Sequence, residues 1–235
     1  KLPFRYPGDT PLSNRIIKIV EQLSANGNEI NKLEYELDEA IFDLYELSLP
    51  ERDLIRDMCE TGLDFLYNGT KSIATDPVFD KLPFLKQGII KSIPSSRDKQ
   101  SRLEGYLYAF LQIWNRELES EGEFNWRVIC SEAKSPMLAV VFSTQQKDVA
   151  LHRVSGSDID EWAKVLNRLQ NDLLIPYESN RVYIDGMIRA VTDTDIIIIK
   201  RNESRLWTRS MAREDAEATL LQAINLQEAK QSTHK

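Results

Sequence analysis

The stretch between Lys200 and Arg213 combines cationic and aromatic side chains in a pattern suited to binding phosphate. Its candidate contact residues are Lys200, Arg201, Arg205, Trp207, Arg209 and Arg213. Phosphate contact needs several cations presented together, and an aromatic ring between arginines can stack on a base or brace their stems. If Ser210 caps a helix, Arg209, Arg213 and the helix N-terminus could converge on one phosphate. The stretch therefore predicts contact with nucleic acid.

A structural alternative stays open for the same stretch. Trp207 could belong to the core, with Arg205 and Arg209 paired to Glu203 and Glu214, so that nothing binds there.

The segment from residue 81 to residue 103 is a second candidate surface, because it carries six basic residues against one acidic residue. Its predicted contacts to the DNA backbone are Lys91, Arg97, Lys99 and Arg102. A solvated basic loop without a ligand is the alternative for this segment.

One triplet has the pattern of a nuclease metal site. Glu132-Ala133-Lys134 follows a predicted strand, and nucleases of the PD-(D/E)xK type place Glu-x-Lys on a strand to hold Mg²⁺ and orient a water molecule. Acid-x-base triplets are common by chance in a chain with 37 acidic and 30 basic residues, and no upstream aspartate on a neighbouring strand is evident. A nuclease-like domain is therefore kept as an alternative only.

Residues 30–55 predict two amphipathic helices joined at a corner. The apolar residues of the first helix recur at three- and four-residue steps, which predicts one buried stripe. That stripe consists of Ile30, Leu33, Leu37, Ile41 and Leu44. The second helix begins with a capping box, in which Ser48 caps Glu51 and Glu51 reaches back, and Pro50 occupies the first turn.

The same run resembles the tail of adenine-specific DNA methyltransferases of type II restriction-modification systems. The resemblance is carried by Leu37-Asp38-Glu39-Ala40-Ile41-Phe42-Asp43-Leu44-Tyr45-Glu46-Leu47 and the Pro-Glu helix start after it. The stretch from Asp195 to Ala216 is similar to the ending of larger methylase-like phage-defence proteins. The resemblance implies a structural helix pair that follows a target-recognition region. It also implies a parent protein that uses S-adenosylmethionine and a catalytic methyltransferase domain in the same chain.

The catalytic motifs of that family are missing here. Chemistry on a base requires extruding it, and the family grips the flipped adenine with an Asn/Asp-Pro-Pro-Tyr/Phe tetrapeptide. Asp76-Pro77-Val78-Phe79 and Ile175-Pro176-Tyr177 lack the double proline, and the nine glycines form no G-x-G cluster. The chain itself is therefore expected to have no catalytic residues, cofactor or metal. Because it begins at Lys1 without an initiator Met, we expect a piece of a longer protein, with removal of a tag as the alternative.

Composition sets further bounds on the class of protein. With 235 residues and 42% apolar content, the chain can bury a sizeable core. It has no apolar run near eighteen residues and no signal-peptide pattern at Lys1, which predicts a cytoplasmic protein with no membrane partner. Cys59 and Cys130 lack the spacing of a zinc site, and His152 and His234 are the only histidines.

Between Asn28 and Phe65, twelve acidic residues stand against three basic ones, so this part should face protein or solvent rather than DNA.

The remaining pattern predicts an α+β fold, with N-terminal amphipathic helices followed by a small antiparallel sheet packed with helices. Helices are predicted at 12–25, 96–119 and 157–174, with a last helix from about residue 210. Strands are predicted at 126–130, 137–143, 181–191 and 195–201. The predicted organisation is a helical segment at 1–70, a linker or long loop at 71–96, an α+β domain at 97–228 and a disordered tail at 229–235.

These observations lead to one functional prediction and two rivals. The prediction is a non-catalytic C-terminal module of a DNA adenine methyltransferase or restriction-modification protein, which assists docking of DNA or of a partner domain. The first rival is a pure protein–protein interaction module, and the second is the nuclease-like domain at Glu132 and Lys134.

Overall fold

The computed structural model describes residues 5, 8–25, 29–78, 84–117, 122–130, 137–144, 165, 186–192 and 194–233. The chain divides into two units, Lys1–Arg56 and Asp57–Lys235. The predicted helix at 157–174, apart from Val165, lies outside the described residues, as do Glu132, Lys134 and the first part of the predicted strand at 181–191.

The first unit is helical. Its helices are α1 (Pro11–Ala25), α2 (Ile30–Leu44) and α3 (Leu49–Asp57), the last of which ends at the first residue of the second unit. Helices α1 and α2 pack through Ile19, Leu33 and Ala40, with Ile16 and Leu37 beside them. The predicted stripe on α2 is correct for Leu33 and Leu37. Ile30 and Ile41 are exposed instead, while Ala40 and Phe42 are buried, because α1 and the Arg-bearing face of α3 cover a different side of the helix.

One half of the predicted capping box is present at the corner between α2 and α3: Glu51 reaches back to Ser48, but the Ser48 hydroxyl donates to that carboxylate instead of accepting from the Glu51 backbone amide. The Glu51 carboxylate accepts hydrogen bonds from the Ser48 backbone amide at 2.7 Å and from the Ser48 hydroxyl at 2.6 Å. These bonds lower the pKa of Glu51 below its usual value, the hydroxyl contributing most. Glu46, in the corner, has a φ of 56°, the left-handed region that single residues occupy in turns.

The second unit contains one five-stranded antiparallel sheet with strand order β1-β2-β3-β5-β4. After a π-helical turn at Met58–Gly62 come α4 (Leu63–Asn68), β1 (Phe84–Ile89), α5 (Arg102–Glu117), β2 (Asn125–Cys130), β3 (Met137–Ser143), β4 (Met187–Val191), β5 (Asp195–Arg201) and α6 (Arg209–Thr233). The α+β fold class is therefore confirmed, and the predicted bounds of β3 and β5 are those observed.

The sheet is buried on both faces. One face packs against α5 and α6, where Phe110 of α5 stacks on Phe142 of β3 with ring centroids 3.9 Å apart. The other face forms a second apolar cluster that includes Ile129, Val141, Ile197 and the isolated described residue Val165. Burial on both faces explains why β3 and β5 read as continuous apolar runs rather than as alternating patterns.

The predicted linker at 71–96 contains a strand. Its Pro-bounded segment forms β1, an edge strand that pairs with β2, where proline and glycine are tolerated best. Gly88 faces Trp126, and a Cβ there would lie 2.7 Å from the indole ring and would also meet the Ser92 hydroxyl. This close approach needs a glycine at position 88. Because glycine is uncommon inside strands, the sequence did not predict β1.

Two further boundaries differ from the sequence-based organisation. The units divide at Arg56 rather than near residue 70, because α4 packs with the turns that precede β1. Helix α6 continues to Thr233, through most of the tail that we expected to be disordered.

Candidate functional site

Lys200 and Asp215 form a buried ion pair in the interior of the second unit. Lys200 follows Ile196 and Ile198 on the face of β5 that packs against α5 and α6, because side chains on one face of a strand recur every second residue. Asp215 lies between Ala212 and Ala216 on the buried side of α6. Both charged side chains are fully buried, and the Lys200 ammonium contacts the Asp215 carboxylate directly.

The Asp215 carboxylate has three charged or polar partners on three different elements. Besides Lys200, it accepts a hydrogen bond from Arg189 Nε of β4 at 2.8 Å and one from the Tyr106 hydroxyl of α5 at 2.5 Å. The outer end of Arg189 reaches Glu214, with 2.7 Å between Nη2 and the carboxylate. These five residues are called the Asp215 cluster below: Tyr106, Arg189, Lys200, Glu214 and Asp215.

The Lys200 ammonium is enclosed by protein on its other sides. Its Nζ lies 3.3 Å from the Leu206 carbonyl oxygen, 5.5 Å from the Tyr106 ring centroid and 5.6 Å from the Trp207 ring centroid. Trp207 is fully buried, and its indole N–H donates to the Arg201 carbonyl at 2.9 Å. The core alternative for Trp207 is therefore what the structure has, and neither Lys200 nor Trp207 lies on a surface that a phosphate can reach.

Burial and charge shift the titration of the cluster. Burial raises the pKa of Tyr106 well above its usual value, and the charge of Asp215 adds to that increase. Burial lowers the pKa of the Lys200 ammonium, although Asp215 opposes the shift. For Arg189, burial acts to lower the pKa, but its bonds and charge interactions with Glu214 and Asp215 outweigh that effect and leave the pKa raised.

Two further predicted contact residues, Arg201 and Arg205, pair with Glu203 of the same segment. Arg205 Nε lies 2.8 Å from the Glu203 carboxylate and Arg201 Nη1 lies 3.2 Å from it. The Arg205 guanidinium also stacks over Phe65, at 4.3 Å from the ring centroid. The predicted Arg205–Glu203 pair is thus present.

Arg209 connects the two basic segments. It donates to the Gln100 side chain, and its Nε lies 3.2 Å from the position that a Cβ on Gly105 would occupy. The beginning of α6 therefore lies beside the beginning of α5. The Ser210 amide, expected to face a phosphate, donates at 2.7 Å to the carboxylate of Asp57.

The other predicted contact residues lie around this region with differing exposure. Arg102 is 3.8 Å from Glu60, and Lys91 is 3.7 Å from Glu123. Lys99 is exposed, while Arg97 and Arg213 are half-buried. Much of the predicted basic surface is thus balanced by internal carboxylates.

Helix α3 in the first unit exposes aliphatic side chains and turns its arginines inward, which the sequence did not predict. Its aliphatic side chains face solvent: Leu49 is 72% exposed, Leu54 57% and Ile55 38%. Its arginines point inward. Arg52 contacts Asp43 at 2.8 Å and Glu39 at 3.0 Å, while Arg56 contacts Glu39 and lies over the Tyr35 and Phe42 rings.

The part of the chain that the structure describes holds no group of three or more histidine, cysteine or acidic side chains placed to bind a metal ion. Within the same residues, no helix combines the length and the apolar character that a membrane span needs. Cys59 is exposed and Cys130 is buried, and neither forms a disulfide.

We predict an asymmetry between the two partners of the buried ion pair. Asp215→Asn should lower the free energy of unfolding by about 3–5 kcal/mol, because it leaves the buried Lys200 and the adjacent Arg189 without their shared carboxylate. Lys200→Met should cost at least about 1 kcal/mol less, since Asp215 keeps Arg189 and Tyr106. Urea unfolding measures both values. Glu214→Gln, at an exposed pair on the same helix, is the control and should cost less than about 1 kcal/mol. Equal losses for the two buried partners would contradict this assignment.

We predict that Tyr106 makes the protein less stable at alkaline pH. Its raised pKa means that the folded state keeps the phenolic proton above about pH 10, where the unfolded chain loses it. Its contribution is therefore complete below about pH 10 and is lost as the pH rises above that value. The stability advantage of the wild type over Tyr106→Phe should shrink by about 1.4 kcal/mol between about pH 9 and about pH 11. Chemical unfolding at both pH values tests this, because Lys200 is common to both proteins. A constant or growing difference would exclude this role.

Comparisons with known proteins provide no relative from which a role could be transferred. Searches against protein-family models, curated proteins and solved structures found no match.

Proposed function

We propose that this chain is a non-catalytic docking module that binds a partner protein through helix α3. The observation that supports this most strongly is the orientation of α3, which exposes Leu49, Leu54 and Ile55 while turning Arg52 and Arg56 inward. Exposed apolar groups grouped on one short helix are typical of surfaces that bind another protein.

The charge around α3 indicates what kind of partner would fit. Twelve acidic residues stand against three basic residues between Asn28 and Phe65. Two of those bases, Arg52 and Arg56, are already engaged by Glu39 and Asp43. The expected partner surface is therefore an apolar patch bordered by lysine and arginine, which would be attracted by the remaining carboxylates.

The resemblance of residues 37–47 to methyltransferase tails suggests an origin for that partner. We propose a catalytic methyltransferase domain of a restriction-modification protein, in which S-adenosylmethionine would bind and to which this module would dock. The nuclease alternative stays a prediction, since Glu132 and Lys134 lie outside the described residues.

The docking proposal predicts specific binding of a model partner. A helical peptide with one leucine face and one lysine face should bind the whole chain with a dissociation constant near the micromolar range. The double variant Leu54→Ser/Ile55→Ser should weaken this binding at least about tenfold, because two exposed aliphatic side chains no longer contribute apolar area. Fluorescence anisotropy of the labelled peptide measures both affinities.

Two controls distinguish specific docking from nonspecific apolar binding. Leu221→Ser removes a leucine of α6 that is 61% exposed, and it should leave peptide affinity unchanged. A matched peptide with a leucine face and a glutamate face should bind much more weakly, because the carboxylates between Asn28 and Phe65 repel it. Equal binding of both peptides, or no effect of the α3 double variant, would refute the proposal.

DNA-backbone docking is the second candidate, and one observation favours it. Arg209 brings the beginning of α6 beside the segment that carries Arg97, Lys99 and Arg102. The internal pairing of Arg102 with Glu60 and the position of Asp57 at the start of α6 weigh against it.

A salt titration distinguishes the two candidates. If several phosphates are neutralised, binding to a random-sequence duplex should fall by about a thousandfold between about 50 and about 200 mM salt. Lys99→Ala should then reduce the salt slope by about one. We expect no measurable duplex binding at low salt if the module docks protein only, and tight, salt-sensitive binding would instead establish the DNA candidate.

A further inference from the structure

The outer side of helix α4 and the turn after it carry exposed apolar side chains of the second unit. Tyr67 is 80% exposed, Leu66 74% and Ile73 64%. Leu66 lies three residues and Tyr67 four residues after the half-buried Leu63, so these three side chains are neighbours on one side of the helix. This side of α4 therefore presents apolar area to solvent, and such grouped area is typical of surfaces that bind protein.

The turn that carries Ile73 is fastened to α4. Its neighbours Ser72 and Ala74 are buried, so the chain is anchored on both sides of the exposed isoleucine. The Ser72 hydroxyl accepts from the Ala74 amide at 2.9 Å and donates to the Asp64 carboxylate of α4. Hydrogen bonds to Asp64, most of all from the Ser72 hydroxyl and also from the Ile73 amide, lower the pKa of this carboxylate. The turn thus holds Ile73 beside α4 with its side chain outward.

The end of the same turn is tied to the segment after β5. The Asp76 carbonyl accepts hydrogen bonds from the Ser204 amide and the Ser204 hydroxyl, each at 2.9 Å. The Asp76 amide donates to the Ile73 carbonyl at 3.1 Å. An apolar side chain on a turn fixed in this way loses little conformational freedom when it is covered by a partner, which favours binding.

One cation and one carboxylate stand on opposite sides of Ile73 along the chain. Lys71 and Asp76 are both exposed, and neither forms an ion pair with another residue that the structure describes. A two-fold axis near Ile73 would exchange the two sides of the turn, so that Lys71 of one copy faces Asp76 of the other. The surface is therefore apolar at its centre and complementary to itself in charge at its edges.

The charge of the second unit also favours a second copy as the partner. Its acidic and basic residues are nearly equal in number, so two such units approach each other without strong repulsion.

We propose that Leu66, Tyr67 and Ile73 form the centre of a homodimer interface, in which Lys71 of each copy pairs with Asp76 of the other. The apolar residues supply the contact area, and the two symmetric ion pairs fix the register. A patch of this size gives an interface of less than about 1,200 Å², so the dimer is transient. This interface is independent of the docking function proposed for α3.

Sedimentation equilibrium of the whole chain between about 1 and about 300 µM measures the association. At about 150 mM salt, which screens the acidic segments, monomer and dimer should exchange with a dissociation constant of about 10–100 µM. Leu66→Ser should raise this constant at least about tenfold, because it removes apolar area from the interface. Leu221→Ser on α6 is the matched control, since it also replaces a largely exposed leucine, and it should leave the constant unchanged.

A charge exchange tests the two-fold arrangement itself. Lys71→Asp places two carboxylates opposite each other in both predicted pairs, and Asp76→Lys places two ammonium groups there. Each variant alone should dimerise at least about tenfold more weakly than the wild type. An equimolar mixture of the two variants restores both opposite-charge pairs, and it should associate within about threefold of the wild type.

Three results would overturn the proposal. The first is a wild-type chain that stays monomeric up to about 300 µM. The second is a mixture of the charge variants that associates no better than either variant alone. The third is an equal loss of association in Leu66→Ser and Leu221→Ser. Both leucines are exposed, so neither change removes core packing that the fold needs.

Discussion

The second unit depends on one buried carboxylate. Asp215 of α6 holds Lys200 of β5, Arg189 of β4 and Tyr106 of α5, and so joins two strands and two helices through a single side chain. A lysine in an apolar core is strongly unfavourable without a counter-charge, which makes the pairing obligatory rather than incidental. Apolar packing holds the helices on the sheet, and the contacts of the Asp215 carboxylate fix which residues of α6 face β4 and β5.

The distribution of charge explains why the cations that cluster in the sequence do not form an open basic surface. Carboxylates of the same chain engage several arginines and lysines of the second unit, as Glu203 does for Arg201 and Arg205. In the first unit, Glu39 and Asp43 engage Arg52 and Arg56 of α3, while Leu49, Leu54 and Ile55 of that helix are exposed. The same kind of interaction thus reduces the basic surface in both units.

The sequence predicted those elements whose pattern is local. Strands β3 and β5 are continuous apolar runs, and the hydrogen bond from Ser48 to the Glu51 carboxylate lies within four consecutive residues. Strand β1 was missed because its signal, a glycine required by Trp126, is visible only once the two strands are paired.

The candidate site was less accessible to sequence reasoning than the fold. Lys200 reads as the start of a basic surface because Arg201 follows it. Its position two residues after Ile198 on a buried strand is the signal that places it in the core. The inward orientation of the α3 arginines could not be foreseen, because it depends on carboxylates of α2 that lie 9 to 17 residues earlier in the chain.

Hydrogen exchange of the Asp215→Asn protein, followed by NMR, shows whether this carboxylate joins α5, β4, β5 and α6 into one cooperative unit. We predict that amides of all four elements lose protection together and by a similar factor relative to the wild type. If protection were lost only beside residue 215, with β4 and α5 unchanged, the carboxylate would be a local feature of α6 and would not join the four elements.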